Sequence, residues 1–367
     1  MQVTEQGLVL LYQDKPAGEL IRKRNGQLEL RYDPKYIVAD GAVPISTTMT
    51  LESQIHTGVG LENWLAGLLP DDQNVLNKWR RDFGVRIKSP FGLLSTQIGE
   101  DCAGAFAFVR PERVAELAKP EEDIHWLDEH ALAQLIRELK NDSTNWLGSN
   151  PPGRFSLAGA QSKTALLWDG TKWGRPTGTT ATSHIVKPAI KGLSDHDLNE
   201  HLCLNSARRI GINAAITHIE TFEDQSALFV RRYDRTEVNG KQIRVHQEDL
   251  CQAFGLDPSL KYQQEGGPSP KGIADKMRVV LPGSKVASSI EQFAEALIWN
   301  WIICGTDAHS KNYSLLITDN DVRFAPLYDV ASVLAYPINK KPRLAMKFGK
   351  DYEVNPRPSA WSALATD

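Results

Sequence analysis

Hydrophobic patterning divides this chain of 367 residues into three consecutive parts, and their order limits the folds open to it. Residues 1–110 alternate short apolar runs with turn residues, as strands do, around one helical stretch. Residues 111–245 begin with helical spacing and continue as a second β-rich part with one helix. Residues 246–367 are mainly helical, with a late hairpin. The order predicts an α+β protein with an N-terminal β-rich subdomain, a second β-rich lobe and a largely helical C-terminal lobe.

The expected elements follow from alternation, helical spacing and turn residues. The expected strands are Leu8–Tyr12, Gln27–Tyr32, Gly104–Val109, Thr164–Trp168, Ser183–Pro188, Ala215–Phe222 and Ser226–Tyr233, with a turn at Asp14–Gly18. The expected helices are Asn63–Phe83 with a restart at Pro70, Pro111–Leu139 in two pieces, Asp195–Ile210, Gln247–Phe254 and Ser289–Cys304, the last capped by Ser288 or Ser289. A hairpin is expected over Tyr313–Ala325, with its turn at Asn320 and Asp321.

Composition excludes several classes of protein. Apolar residues make up 41% of the chain and charged residues 24%, which are globular proportions and not those of a disordered chain. The net charge of −3 gives no electrostatic reason for the whole chain to coat nucleic acid or an anionic membrane. One local basic cluster is either a solvated helix face or a patch near phosphate backbone; it consists of Lys78, Arg80, Arg81, Arg86 and Lys88.

The cysteines and the apolar runs indicate where the protein resides. Cys102, Cys203, Cys251 and Cys304 form no CxxC pair, so we expect buried free thiols in a reducing compartment and no zinc site. The start of the chain lacks a leader pattern, and no apolar run approaches about 18 residues. We therefore expect a cytoplasmic protein with no membrane partner.

The most informative polar motif follows the apolar helix expected to end at Cys304. Asp307 and Asn312 have the spacing of the protein-kinase catalytic loop, in which the aspartate accepts the substrate hydroxyl proton and the asparagine binds Mg²⁺. Phosphoryl transfer needs a carboxylate beside the attacking hydroxyl and a neutral oxygen ligand on the metal. By itself, the spacing is equally consistent with a polar loop after a helix.

A second acidic residue supports the catalytic interpretation. Asp329 follows the expected hairpin, where kinases carry their second metal-binding aspartate. A carboxylate at the end of an apolar strand is unfavourable unless a cation offsets its charge. Asp329 is also placed to cap the turn that leads to Leu334, and the two roles are compatible.

Small residues and a lysine upstream indicate a phosphate-binding region. The loop Ser156–Gln161 lets backbone N–H groups approach phosphate oxygens, although it lacks the Walker A pattern and a plain turn is the default. Lys187 lies in an apolar strand, either as a ligand of ATP phosphates or as an edge-strand lysine. Glu200 either pairs with Lys187 or is a solvated helix charge.

The run Arg231–Arg235 stands where a kinase has its adenine-binding hinge, with a solvated charge run as the alternative.

These motifs together resemble the HipA family of toxin kinases, over about residues 8 to 348. The matching segments are Ser156–Leu166, His184–Lys187, Gln247–Gly255, Lys261–Tyr262, Gly266–Pro268, Thr306–Asn312 and Tyr328–Val330. The resemblance implies a two-lobed protein-kinase-like fold with an additional N-terminal subdomain at 1–110, an N-lobe at 111–245 and a helical C-lobe at 246–367. It also implies an ATP- and Mg²⁺-dependent serine/threonine protein kinase, the toxin of a type II toxin–antitoxin module.

The resemblance implies a role for each motif residue. Asp307 is implied as the catalytic base, Asn312 and Asp329 as Mg²⁺ ligands, and Ser156 as an autophosphorylation site. The residues implied to bind ATP are Ser156, Leu157, Ala158, Gly159, Ala160, Gln161, Lys187, Arg231, Arg232, Tyr233, His309 and Lys311. A phosphate on Ser156 adds nearly two negative charges to a loop that holds ATP phosphates, so we expect expulsion of the loop and inactivation.

The resemblance also implies partners. The known substrate of the family is a glutamyl-tRNA synthetase, and its antitoxin is a dimeric helix-turn-helix repressor that provides the contact with operator DNA. Family members usually continue for several helices past the position matching Met346, whereas this chain ends at Asp367, so we expect a shortened helical lobe. The alternative function is a catalytically impaired partner that acts with the antitoxin as a co-repressor. A small-molecule phosphotransferase would not explain Ser156 or the β-rich front part.

Overall fold

The computed structural model describes residues 6–117, 124–148, 153–176, 180–238, 241–319, 321–338, 341–349, 351–354 and 362. These residues form an N-terminal β-rich subdomain followed by a β-rich lobe and a largely helical lobe, which is the predicted α+β class. Asn320 of the expected hairpin turn and the segment 355–361 near the expected end of the helical lobe lie outside the described residues.

A five-stranded antiparallel sheet forms the N-terminal subdomain, in the order β4-β3-β2-β1-β5. Its strands are β1 (Gln6–Tyr12), β2 (Lys15–Arg22), β3 (Leu28–Tyr32), β4 (Ile55–Thr57) and β5 (Phe106–Val109). Its helices are α1 (Pro34–Ile37), α2 (Val59–Gly67), α3 (Gln73–Asp82) and α4 (Pro90–Leu94), and α5 (Pro111–Leu117) leads to the next lobe.

Two expectations for this subdomain need correction. The helix expected from Asn63 begins earlier, at Val59. The expected restart at Pro70 is confirmed and divides the stretch into α2 and α3, because Pro70 has no N–H to donate and Asp72 caps a new start. The expected turn at Asp14–Gly18 is shorter, since Lys15 already belongs to β2 and only Gln13 and Asp14 adopt the positive φ of a tight hairpin turn.

The N-lobe is built on a six-stranded antiparallel sheet, in the order β10-β11-β9-β7-β8-β6. Its strands are β6 (Ile124–Leu127), β7 (Thr164–Trp168), β8 (Trp173–Pro176), β9 (His184–Lys187), β10 (Thr217–Phe222) and β11 (Gln225–Arg231). Helices α6 (Glu129–Asn141) and α7 (His196–Arg209) belong to this lobe, and the hairpin β12 (Arg235–Val238) and β13 (Lys241–Arg244) follows. The four strands and the helix Asp195–Ile210 expected here are confirmed, whereas β8 escaped prediction. Within the range Pro111–Leu139, expected to be helical in two pieces, α5 and α6 are helices, but β6 is a strand.

The C-lobe contains α8 (Leu250–Ala253), α9 (Pro270–Val280) and α10 (Gly283–Ile302). Its sheet has the order β14 (His246–Asp249), β15 (Ser314–Ile317) and β16 (Val322–Phe324), and β17 (Arg343–Phe348) pairs with β18 (Asp351–Glu353). Among the described residues, no helix combines the length and the apolar character that crossing a bilayer requires.

Two helix predictions in the C-lobe are wrong. The helix expected over Gln247–Phe254 is a strand followed by a single turn, because His246–Asp249 pairs with β15 and Asp249 then caps α8 in a capping box with Gln252. Helix α10 begins at Gly283, after Pro282, so Ser289 is a buried residue within the helix and not its cap.

The hydrophobic cores show how the parts are joined. The core of the N-terminal subdomain extends to Trp146, Phe155 and Leu157, so it includes the residues on either side of Ser156. A second core joins α7 to the helices and the sheet of the C-lobe. The four cysteines are free and buried, as expected.

Candidate active site

A cleft of about 1000 Å³ between the two lobes brings together nearly all of the predicted site residues. The predicted residues that line it are Leu157, Ala158, Gly159, Ala160, Gln161, Lys187, Arg231, Arg232, Tyr233, Asp307, His309, Lys311, Asn312 and Asp329. Of the predicted residues, all of which the structure describes, Ser156 alone lies outside this lining.

Lys187 is at the centre of the charged groups in the cleft. Its Nζ donates to Glu200 Oε1 at 2.7 Å and to Asp329 Oδ1 at 2.6 Å, and both Lys187 and Glu200 are buried. Strand β9 lies between β11 and β7, so Lys187 is not an edge-strand lysine. Glu200 is buried and paired with Lys187, so it is not a solvated helix charge. Burial opposes the charge of Lys187, but Asp329 and Glu200 together raise its pKa above the usual range.

Asp329 adopts a backbone conformation that is uncommon for a residue with a side chain. Its φ is +58°, in the left-handed region. Although burial opposes ionisation, Lys187 and then Lys163 hold the pKa of the Asp329 carboxyl well below its usual range. The cap of the turn leading to Leu334 is Ser332, so the capping role considered for Asp329 is wrong.

The catalytic-loop motif has an internal hydrogen bond that fixes its two key residues. Asn312 Nδ2 donates to the Asp307 backbone carbonyl at 2.8 Å, and the segment Ser310–Asn312 is buried, unlike a solvated polar loop. The Tyr262 hydroxyl donates to the Asp307 carboxylate. Although Asp307 is exposed to the open cleft, desolvation by the surrounding protein, helped by Asp329, raises its pKa against the opposing effect of the Tyr262 hydrogen bond. The Asp307 carboxylate is thus held in one position at the cleft.

His309 and Lys311 differ in their surroundings. Burial lowers the pKa of His309 to about 4, so its imidazole is neutral, and its buried Nδ1 has no hydrogen-bond partner among the described residues. Lys311 Nζ forms an ion pair with Asp71, and Lys261 Nζ lies 2.9 Å from the same carboxylate. Sequence reasoning missed Asp71, which comes from the N-terminal subdomain.

The loop Ser156–Gln161, here called the phosphate loop after the role predicted for it, is held by a lysine that sequence reasoning also left without a role. Lys163 Nζ donates to the Ala158 carbonyl at 2.6 Å and lies 5.0 Å from the centre of the Trp146 ring. Gly159 has a φ of +102°, and a Cβ atom there would lie 2.6 Å from Lys163 Nζ, so the loop requires glycine at this position. Burial, with repulsion from Lys187, lowers the pKa of Lys163 to about 8.

Ser156 requires a correction to its expected place among the ATP-binding residues. Its side chain is fully buried, and Oγ donates to the Leu68 carbonyl at 2.6 Å, in the N-terminal subdomain. The apolar neighbours Phe155 and Leu157 anchor it there, because both are part of the core of that subdomain. The serine therefore lies beneath the rest of the loop, Leu157–Gln161, and does not line the cleft.

The run Arg231–Arg235, predicted as the hinge, contains a buried network of charged side chains and is not a solvated charge run. Arg232 donates to Asp234 at 2.8 and 3.0 Å, and Arg235 donates to Asp234 at 2.7 Å and to Asp101 at 2.9 Å. Arg231 alone of these arginines is exposed. The Arg232 guanidinium is thus committed to protein carboxylates. Its assignment as a hinge residue, in which the backbone contacts adenine, stays a prediction. The network joins the hinge to the N-terminal subdomain.

The donor set of the cleft fits a magnesium nucleotide. Asp329 supplies a carboxylate, and the Asn312 amide, whose nitrogen faces the Asp307 carbonyl, supplies a neutral oxygen; both are ligands that Mg²⁺ accepts. Lys187 and Lys163 place positive charge beside the phosphate loop. Two lobes, a buried lysine–glutamate pair and an Asp–Asn loop around one cleft define a protein of the kinase-like class.

Comparison with known proteins identifies the family. A model of the HipA-like C-terminal domain matches residues 155–367, and a model of the HipA N-terminal domain matches residues 8–109. The chain belongs to the HipA family, as its motifs suggested.

Two curated relatives and one solved structure show the extent of the similarity. Protein Y4mE of Sinorhizobium fredii is 30% identical over 352 residues, 95% of this chain and 82% of Y4mE. The serine/threonine-protein kinase toxin HipA of Shewanella oneidensis is 30% identical over 329 residues, 85% of this chain and 72% of that toxin. The solved complex of Shewanella oneidensis HipA, HipB and operator DNA contains a chain with a TM-score of 0.82 and 26% identity, covering 98% of this chain and 84% of that one. Kinase activity, and with it the use of ATP, is thus a property of the family.

Proposed function

We propose that this protein is an ATP- and Mg²⁺-dependent serine/threonine protein kinase that acts as the toxin of a type II toxin–antitoxin module. One observation supports this most strongly: Lys187, with Glu200 and Asp329, shares a single cleft with Asp307 and Asn312. The curated kinase toxin among the relatives favours this function over that of a catalytically impaired co-repressor.

The chemistry follows from the charges around the cleft. Asp307 would accept the proton of the attacking hydroxyl, a task suited to a carboxylate whose pKa is raised by desolvation in the cleft. Lys187 would bind ATP phosphates, and the loop from Leu157 to Gln161 would cover them with backbone N–H groups. Asn312 and Asp329 would hold Mg²⁺, which supplies charge neutralisation at the transferring phosphoryl group.

Autophosphorylation of Ser156 is part of the proposal. Because Ser156 is buried and donates to the Leu68 carbonyl, the loop must leave its present position before this hydroxyl can be phosphorylated. A phosphate of nearly two negative charges cannot return to a buried site that faces a carbonyl oxygen. Phosphorylation would therefore keep the loop out and inactivate the kinase.

The partners of this chain are proposed by analogy with the solved complex. That structure contains HipA, HipB and operator DNA, and supports an antitoxin dimer of the helix-turn-helix type as the partner that brings this chain to DNA. In the basic cluster, Lys78 pairs with Asp82 and Arg80 donates to the Lys88 carbonyl, as expected of a solvated helix face.

A translation-related protein such as glutamyl-tRNA synthetase is the proposed substrate.

Expression without an antitoxin tests the toxin function. Wild-type protein should arrest growth, and purified protein with labelled ATP and Mg²⁺ should transfer label to glutamyl-tRNA synthetase. Asp307→Asn should abolish both effects, whereas the matched control Asp82→Asn, on the exposed surface of α3, should retain both. Growth arrest by Asp307→Asn at the wild-type level would contradict a kinase toxin and favour the non-catalytic partner.

A further inference from the structure

The turn between α2 and α3, residues 68–72, contacts the phosphate loop from the N-terminal subdomain. The Leu68 carbonyl accepts the hydrogen bond of Ser156 Oγ at 2.6 Å. The Asp71 backbone N–H donates to the Gly159 carbonyl at 2.9 Å. Two residues of the phosphate loop, Ser156 and Gly159, are therefore hydrogen-bonded to the same turn.

The same turn is fastened to the C-lobe by one carboxylate. Asp71 forms ion pairs with Lys311 Nζ and, at 2.9 Å, with Lys261 Nζ. Side chains of Asp71 and Lys311 are 14% and 3% exposed, so this attraction is little screened by solvent. Although burial opposes ionisation, the two lysines keep the pKa of Asp71 below its usual range. Lys311 directly precedes Asn312, so the anchor is within the catalytic loop.

We propose that Asp71 is a positioning residue that ties the phosphate loop to the catalytic loop. While its carboxylate is paired with both lysines, the turn cannot move without breaking two partly buried ion pairs, and Ser156 and Gly159 stay in place. Loss of the charge frees the turn and lets the loop leave the cleft. The inference rests on the proposed function only in taking this loop as the one that covers ATP.

Chemical labelling of position 156 tests the proposal without nucleotide or catalysis. In Ser156→Cys, a maleimide probe reacts only when the loop leaves its buried position. Adding Asp71→Asn should speed labelling at least tenfold. The matched control is Asp72→Asn, at the adjacent residue, because asparagine caps α3 as well as aspartate does. The four buried native cysteines report global unfolding, and their labelling should not change.

Equal labelling rates with and without Asp71→Asn would overturn the proposal, as would an equal acceleration at the native cysteines. A second measurement keeps Ser156 intact. Binding of a non-hydrolysable ATP analogue should weaken at least tenfold in Asp71→Asn and less in Lys261→Met, which keeps the pair of Asp71 with Lys311. The double variant should bind no more weakly than Asp71→Asn alone. If the losses of affinity in the two single variants multiply in the double variant, Asp71 and Lys261 act independently, and the proposed role of Asp71 is contradicted. If wild-type protein fails to bind the analogue, the proposed function fails, while the labelling result still decides the role of Asp71.

Discussion

The Lys187 ammonium lies 2.7 Å from the carboxylate of Glu200 and also contacts Asp329. One buried cation therefore joins the central strand β9 of the N-lobe to helix α7 and to the C-lobe segment after β16. The position of Lys187 depends on both lobes. Replacing it should therefore weaken phosphate binding and also leave Glu200 and Asp329 without their shared cation.

Lys187→Met should reduce phosphoryl transfer about 100-fold or more, because the variant lacks the charge that stabilises the transferring phosphates. It should also destabilise the fold by about 3 kcal/mol, because Glu200 is left buried without its cation. Labelled-ATP transfer and urea unfolding measure the two effects. Lys191→Met, at an exposed lysine nearby, is the control and should change neither. A Lys187→Met protein with full activity would contradict the assigned role.

The hydrogen bond from Tyr262 to Asp307 predicts a shift in pH dependence. The phenol stabilises the carboxylate and so lowers its pKa, against the burial that raises it. Tyr262→Phe should therefore raise the pKa of Asp307 and move the acid limb of the kcat/KM profile to higher pH. Profiles of the wild type, Tyr262→Phe and the control Tyr352→Phe measure this. An unmoved limb, or one displaced to lower pH, would show that Tyr262 does not act on Asp307.

The buried hinge network predicts a difference between two adjacent arginines. Arg232→Met removes a cation from between Asp101 and Asp234, and leaving buried carboxylates underpaired costs about 3–5 kcal/mol of unfolding free energy. Arg231→Met, at the exposed neighbour, should change stability by less than about 0.5 kcal/mol. Urea unfolding of both variants gives the comparison. Similar losses in the two would mean that the network does not stabilise the fold.

Local patterns pointed to part of the candidate site, and the resemblance to HipA kinases supplied the remaining residues and their predicted roles. The spacing of Asp307 and Asn312, the apolar strand around Lys187 and the helix that carries Glu200 are all features of short segments, and the order of the segments indicated a two-lobed fold. Local sequence was informative about the type of each element. The meeting of these residues in one cleft was expected from the order of the segments and from the resemblance to a kinase family.

Contacts between residues far apart along the chain were beyond prediction from local pattern. The carboxylate of Asp71 meets lysines 190 and 240 positions away, and Arg235 meets Asp101 across 134 positions. The strand β14 was mistaken for helix because its pairing partner β15 lies beyond α10. In each case a contact with a residue far away in the sequence determined the structure. The propensity of a single segment carries no information about such contacts.

The most direct test of the account is the mass of the intact protein after incubation with Mg²⁺ and ATP, followed by peptide mapping. A phosphoryl-transfer site built from Asp307, Asn312, Asp329 and Lys187 predicts the gain of one phosphoryl group on Ser156 in the wild type. Asp307→Asn and Ser156→Ala should both lack this gain. An unchanged wild-type mass, or a gain of the same size in Asp307→Asn, would contradict the account.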